Sequence, residues 1–364
     1  MKKLNIALIG QGRSGRDIHG AFLKAERAKE QFEVIAITDR RQDRRERAAA
    51  EFGCPVYESI EAMIQGLEAS GKRPDLVVNA SYSQQHHDTT LQLLNQGYSV
   101  LCEKPVARSV KELDEMVAAA EKNHCYFGVF QQSRFAPYYV KVKEIIDSGV
   151  LGRLIDVDIQ FNGFSRRWDW QTLQSFNGGS LRNTGPHPLD QALNILNAYD
   201  QMPQVFCKMD RVNTFGDAED YVKLILTMPD KPLIDLTISC CDAYPCFTYK
   251  IHGQKGGLKG DMQHIEWKYF DPQQAPHQEL TTESLSKEDG TPAYCTEKLE
   301  WSEHSWEGDP NGAFDAAVEA YYQMVYNHLV YQEPLAVTVA QVRQQVAVYE
   351  EAHRQNPMSV LDLA

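Results

Sequence analysis

Positive charge is the scarcer sign in this chain. Its 37 lysines and arginines face 50 aspartates and glutamates, for a net charge of −13. Such a surface does not suit a nucleic-acid backbone or an anionic membrane, although it leaves room for a local basic pocket. Long apolar runs are missing as well. No stretch approaches the ~18 apolar residues of a membrane helix. The short apolar run after Lys2 and Lys3 lacks the core and cleavage site of a signal peptide. A cytoplasmic location is expected. The eight cysteines include no C-x-x-C pair. Histidines and cysteines do not gather at ligand spacing, so no metal is expected and the thiols default to buried, reduced side chains. The chain has no internal repeat. Its 364 residues, 43% hydrophobic and 24% charged, suit a soluble globular protein with room for two domains.

The first third alternates strand and helix. Leu4 to Ile9 is a short apolar strand followed at once by Gly10-Gln11-Gly12-Arg13-Ser14-Gly15. Residues 16–30 have helical periodicity, and a second strand, Phe32 to Thr38, ends in Asp39. Strand, G-x-G-x-x-G, helix, strand and acid form the order of a dinucleotide site. Gly10 permits the tight turn, Gly12 lets the backbone approach a pyrophosphate, and Gly15 lets helix pack on strand. Asp39 suits both ribose hydroxyls and favours NAD. Arg40 and Arg41 can stack on adenine or pair with a 2′-phosphate, which keeps NADP open. The alternation continues through strands at 55–57, 75–80, 98–102 and 125–130. A capping-box spacing at Ser109 and Glu112 opens the last helix. Six strands with intervening helices predict a parallel, doubly wound sheet over residues 1–130.

The run Tyr98 to Cys102 ends in Glu103-Lys104-Pro105. Proline cannot continue a ladder and pushes its neighbour out of helical geometry. Lys104 therefore stands at the carboxyl end of a strand, the edge where open parallel sheets bind ligands. From Arg134 the grammar changes. Strands are predicted at 154–161, 204–212, 221–228, 233–240, 247–252 and 264–270, antiparallel because helices no longer separate them. Residues 253–260 read as turns and 271–313 as a long polar loop. Helices close the chain at 314–330 and 339–352, the first placed to pack back on the first half. The α/β fold expected is thus a Rossmann domain at 1–130 plus an α+β domain at 131–364 on a large, mainly antiparallel sheet.

In order, GQGRSG, ITDRR, ASYSQQH, VLCEKP and GGSLRNTGPHPLDQAL resemble the Gfo/Idh/MocA oxidoreductases, the relatives of glucose–fructose oxidoreductase and inositol dehydrogenase. The resemblance runs from Leu4 to near Ala352. It implies an NAD(P) cofactor, a sugar, cyclitol or related polyol as substrate, and a homodimer or homotetramer formed through the second sheet. It makes Lys104 and His187 the catalytic pair, with Asn183 beside them. It sets Arg13, Ser14, Glu103 and the loop of Ser81, Ser83 and His86 on the cofactor side. One departure stands out. The family usually has aspartate where this chain has Asn183, and an amide cannot take a proton as a carboxylate does.

Oxidising a secondary alcohol needs an acceptor for the hydroxyl proton, assigned to His187. It also needs a positive neighbour for the developing alkoxide, assigned to Lys104. The same residues have plainer readings. His187 sits where a first-turn helix residue would, with Asn183 or Thr184 as N-cap, and Asp190 reads as a first-turn acid. Arg134, Arg167, Trp168 and Asp190 are the candidate substrate contacts, with Tyr244 and His264 weaker ones. The stretch Arg166-Arg167-Trp168-Asp169-Trp170 also reads as a surface loop with tryptophan anchors. Two other functions stay open: an NAD-retaining hydrolase or lyase working by transient oxidation, and a non-catalytic dinucleotide-binding regulator.

Overall fold

The computed structural model describes residues 2–358. Six strands form the first sheet: β1 (Leu4–Ile9), β2 (Phe32–Thr38), β3 (Val56–Tyr57), β4 (Leu76–Asn79), β5 (Val100–Cys102) and β6 (Phe127–Val129). All pair in parallel, in the order β3-β2-β1-β4-β5-β6. Helices cover both faces of a parallel sheet, which is why β4 and β5 are buried at every position. The strand order reverses between β1 and β4. The crevice beyond their carboxyl ends is where such sheets hold ligands, and Gly10 and Ala80 lie there.

The helix expected over 16–30 is instead three pieces. A π-helical turn spans Ser14–Gly20, an α-helical turn spans Ala21–Lys24, and Glu26–Lys29 follows after Ala25 leaves helical geometry at ψ 139°. Wide π turns concentrate at functional sites. This one carries His19, which is wholly buried.

The second sheet has eight strands: β7 (Leu154–Asn162), β8 (Gln204–Asp210), β9 (Tyr221–Thr227), β10 (Leu233–Ser239), β11 (Tyr249–Gly253), β12 (Gly256–Gly260), β13 (His264–Phe270) and β14 (Trp301–Glu307). Their order is β14-β13-β12-β11-β7-β10-β9-β8. Three features differ from the sequence reading. β7 and β10 pair in parallel, because the intervening helical crossover brings the chain back in the same direction. The glycine-rich 256–260 stretch is a strand held between β11 and β13. Part of the supposed loop at 271–313 is β14, which is exposed along most of its length and pairs only with β13. Its sequence lacks the buried alternation that marks β9, where Val222, Leu224 and Leu226 face inward. Each such side chain contributes roughly 1.5–3 kcal/mol by leaving water.

The helices Pro186–Leu196 and Val339–Gln355 pack on the second sheet. The helix Ala313–Tyr331 belongs spatially to the first half. Its Tyr322 stacks on Phe22 at 4.4 Å, and its Tyr326 hydroxyl donates to the Lys2 carbonyl at 2.8 Å. Among the described residues, no helix is long and apolar enough to cross a membrane.

Candidate active site

The glycine loop follows β1. Gly10 has φ +89°, and a Cβ there would lie 2.3 Å from the Ala80 carbonyl oxygen; at Gly15 it would meet the Gly10 oxygen at 1.9 Å. Gly12 faces open space, with only Arg44 near at 3.7 Å. Two glycines thus close the turn and the third leaves the backbone approachable, so these residues fit a dinucleotide pyrophosphate. Asp39 fixes the loop edge: its Oδ2 accepts the Gln11 N–H at 2.8 Å and its Oδ1 the Arg41 N–H at 2.9 Å. Arg13 and Arg40 are exposed, and Ser14 is half-buried. Arg44 and Arg47, not singled out in the sequence, complete a basic rim; Arg47 donates to the Gln11 carbonyl at 3.0 Å.

The loop after β4 is held from behind. Ser81 Oγ donates to Asn79 Oδ1 at 2.7 Å, and Ser83 is buried. His86 was assigned to the cofactor, yet it is buried with Nδ1 2.8 Å from the Pro105 carbonyl and Nε2 3.1 Å from the Ser81 carbonyl. A neutral imidazole carries one N–H, so the ring donates to one of these carbonyls and packs against the other, which seats His86 between the two loops.

Glu103 is corrected in the same way. It is 4% exposed, within 3.2 Å of His19 Nε2, while His19 Nδ1 lies 2.7 Å from the Tyr322 hydroxyl. Burial pushes the Glu103 carboxyl up. The His19 hydrogen bond and the charges of His19, Lys104 and His86 outweigh it and hold the group at about 2. Glu103 therefore anchors the loop to the π turn and, through His19, to the Ala313–Tyr331 helix. Nothing in a single sequence marked His19 or Tyr322 for this, since they are 303 residues apart.

Lys104 precedes a cis proline and is half-buried. Its Nζ donates to the Asn183 carbonyl at 2.9 Å, joining the two halves of the molecule. Burial pulls its pKa down, Glu103 opposes this, and Arg13 and Arg167 add to the fall. Gln131 makes a second tether by donating to the Pro186 carbonyl.

Pro186–Leu196 begins with Pro186 at its first position and His187 at its second. Its N-cap is Gly185, with no side-chain cap, because Asn183 belongs to a separate short helix, Ser180–Asn183. The capping reading of Asn183 and Thr184 is thereby corrected. The Asn183 side chain accepts from Gln171 Nε2 at 3.0 Å, and Gln171 accepts from Arg167. The His187 ring makes no hydrogen bond among the described residues, and its Nδ1 is buried without a partner. Burial and the Lys104 charge pull it down to about 3 against the pull of Glu103. At neutral pH it is an uncharged imidazole with free hydrogen-bonding capacity, within the field of Lys104.

Arg134 and Asp190, expected as substrate contacts, are paired with each other. They bind each other through two hydrogen bonds of 2.5 and 2.6 Å. Gln345 adds a third to Asp190 at 2.7 Å, and Arg134 also reaches the Ala336 carbonyl. Asp190 lies beyond the first turn, so the helix-start reading falls too. Arg167 does reach the site, pairing with Asp169 at 2.6 Å and lining a cavity of about 30 Å³ with Gln171, Asn183 and Glu219. Trp168 is 79% exposed; Trp170 instead packs edge-on against Tyr82 at 5.0 Å, where the two halves meet. Tyr244 is 87% exposed, and His264 pairs with Glu307 at 2.6 Å on β13, outside this constellation.

All eight cysteines are free, but Cys246 and Cys295 are exposed rather than buried. Strand pairing brings Asp156, Asp158 and His252 together on β7 and β11, a grouping with metal-ligand atoms that chain spacing does not reveal.

A family model described as "Oxidoreductase family, NAD-binding Rossmann fold" matches residues 4–131, and the GFO/IDH/MocA C-terminal domain model matches 139–259. D-glucoside 3-dehydrogenase of Escherichia coli is 28% identical over 200 residues, 53% of this chain and 54% of that protein. A 2,7-anhydro-N-acetylneuraminate hydratase of Mediterraneibacter gnavus is 23% identical over 270 residues, 72% of this chain and 68% of that one. The WlbA dehydrogenase from Bordetella pertussis, solved with NADH and UDP-GlcNAcA, shares the fold. Its TM-score is 0.75 at 19% identity, over 99% of this chain and 98% of that one. With an NAD-binding Rossmann domain followed by the characteristic second domain, this chain belongs to the Gfo/Idh/MocA oxidoreductase family.

Proposed function

We propose that the protein is an NAD-dependent dehydrogenase that oxidises a secondary alcohol of a sugar, cyclitol or related polyol. The observation that carries this reading is the 2.9 Å bond from Lys104 Nζ to the Asn183 carbonyl. It holds the ammonium of the Rossmann half against the segment that leads into His187. Bound oxidised NAD supplies the hydride acceptor. His187, neutral and without a protein partner, takes the hydroxyl proton. Lys104 places positive charge by the oxygen on which negative charge develops. Asp39 favours NAD over NADP because a 2′-phosphate would meet its carboxylate. Arg167 and Gln171 are the substrate-side groups of this reading.

Residues 1–130 serve as the cofactor domain and 131–364 as the substrate domain. A cytoplasmic homodimer or homotetramer would form through the outer face of the second sheet. Phe206 stands 61% exposed on β8 of that sheet, and light scattering tests the assembly.

The activity test is a cofactor-reduction screen with NAD and NADP against sugars, inositols and sugar acids. NADH formation with one class supports the reading. Failure of the whole panel, with NAD tightly bound, removes it. That outcome would favour the hydrolase or lyase that retains NAD; one relative is a hydratase. One feature already leans that way: the amide of Asn183 stands where a carboxylate would relay a proton, and it is engaged by Gln171.

A further inference from the structure

We propose that a groove between the Val339–Gln355 helix and the Arg182 segment binds a small oxyanion, the phosphate or carboxylate group of a metabolite, held by Arg182 and His353. The groove has a volume of about 790 Å³ and is lined by Arg108, Arg182, Arg343, His353 and Arg354 among others.

Three of its arginines are already neutralised. Arg108 is paired with Glu112 at 2.8 Å, Arg343 with Asp114 at 2.7 Å and Arg354 with Glu351 at 2.6 Å. Arg182 differs. Its guanidinium makes no hydrogen bond or ion pair among the described residues, and its Nε is buried without an acceptor. The acids that influence it are Glu219, which accepts the Leu181 N–H at 3.0 Å, and to a lesser degree Glu112, which is already paired with Arg108. Burial pushes the Glu219 carboxyl up to about 7, so near neutrality it offsets Arg182 only in part. His353 Nε2 is likewise buried with no partner. Burial and the Arg182 charge hold His353 at about 3, so its ring is neutral and carries one N–H. A cation and a polar ring nitrogen thus share one groove with no acceptor between them. Arg182 and His353 are half-buried with Nε and Nε2 shielded from water, and an oxyanion would satisfy both groups with charge-assisted hydrogen bonds. Asp200 and Glu350 also line the groove, so the attraction is local to Arg182.

The position gives such binding a route to the site. Arg182 immediately precedes Asn183 in the Ser180–Asn183 helix, and the Asn183 carbonyl receives the Lys104 ammonium. An anion drawing on Arg182 acts on the segment that Lys104 grips.

The test is calorimetric titration of the protein saturated with NAD, so that the glycine loop is filled. The probes are inorganic phosphate and, separately, citrate, against a chloride control of matched ionic strength. Saturable binding is expected, weakened roughly tenfold or more in Arg182→Gln and in His353→Ala. The second variant keeps the test valid if the first does not fold. Phosphate alone binding points to a phosphorylated ligand, and citrate alone to a carboxylate. No saturable heat from either probe, or binding untouched by both substitutions, overturns the proposal. Because binding is read directly, this result is independent of whether any alcohol reduces NAD.

Discussion

Lys104 and His187 come from different halves and are supported in opposite ways. The loop of Lys104 is secured by groups packed and bonded inside the protein: Glu103 with His19, His19 with Tyr322, and His86 between two carbonyls. His187 rides on the second position of a helix, and its own ring is left unpartnered. Filled groups hold a position; open groups are available to a ligand. Arg134 and Asp190 are buried against each other, whereas Arg167 lines the cavity while paired with Asp169.

The sharpest way to break this comparison is to remove each member of the pair. Lys104→Met and His187→Ala are each expected to lower kcat by about 10²–10⁴-fold while NAD still binds. Stopped-flow turnover with cofactor titration measures both. A loss of cofactor binding instead would make Lys104 an anchor like its neighbours.

Next in size is the buried carboxylate. The folded pKa of Glu103, about 2, lies below the ordinary 4.5, so folding favours its ionised form. That stability is complete above about pH 4.5 and is lost as pH falls toward 2. It is on the order of 3 kcal/mol. Urea melts across this window should show the decline, and Glu103→Gln should flatten it. A smaller loss of about 1–3 kcal/mol is expected for Tyr322→Phe, which removes the partner of His19 Nδ1 from a buried pair. Thermal melts read it.

His187 gives a test in pH. Its folded value of about 3 lies below the ordinary 6.5, so the neutral base is favoured by folding. The stability it adds is complete above pH 6.5 and drains as pH falls toward 3. By the same sign, kcat/KM should show no His187 limb between pH 5 and 7, because that profile reports the free enzyme. A limb near 6.5 would place the base elsewhere. The smallest change is expected from Asn183→Asp: less than about tenfold in kcat/KM, with the acid limb moving upward as a carboxylate steadies the imidazolium. A rise far beyond tenfold would mean that the amide, not the lysine and histidine, limits the reaction.

The alternating grammar of the first half was legible because a parallel strand buried on both faces is a continuous apolar run, and glycine at Gly10, Gly12 and Gly15 answers a local backbone demand. The second half was harder to read. β12 is built from residues that favour turns, and β14 is exposed, so neither carries a periodic signal. The chain order likewise left β7 and β10 looking antiparallel, since a crossover's direction is set by where its helices dock.

The sequence alone determined the dinucleotide loop, the lysine after β5, the histidine at the helix start and the family to which they belong. These are local signals, set by dihedral preference, periodicity and spacing. Which polar groups would be filled and which left open was decided only by tertiary structure. Glu103 looked like a cofactor ligand until His19 and Tyr322 closed on it. Arg134 and Asp190 looked like substrate contacts until they met each other. The vacancy at Arg182 had no signature in the chain at all. Satisfaction of a buried polar group depends on partners from distant segments, and only packing brings them within hydrogen-bonding distance.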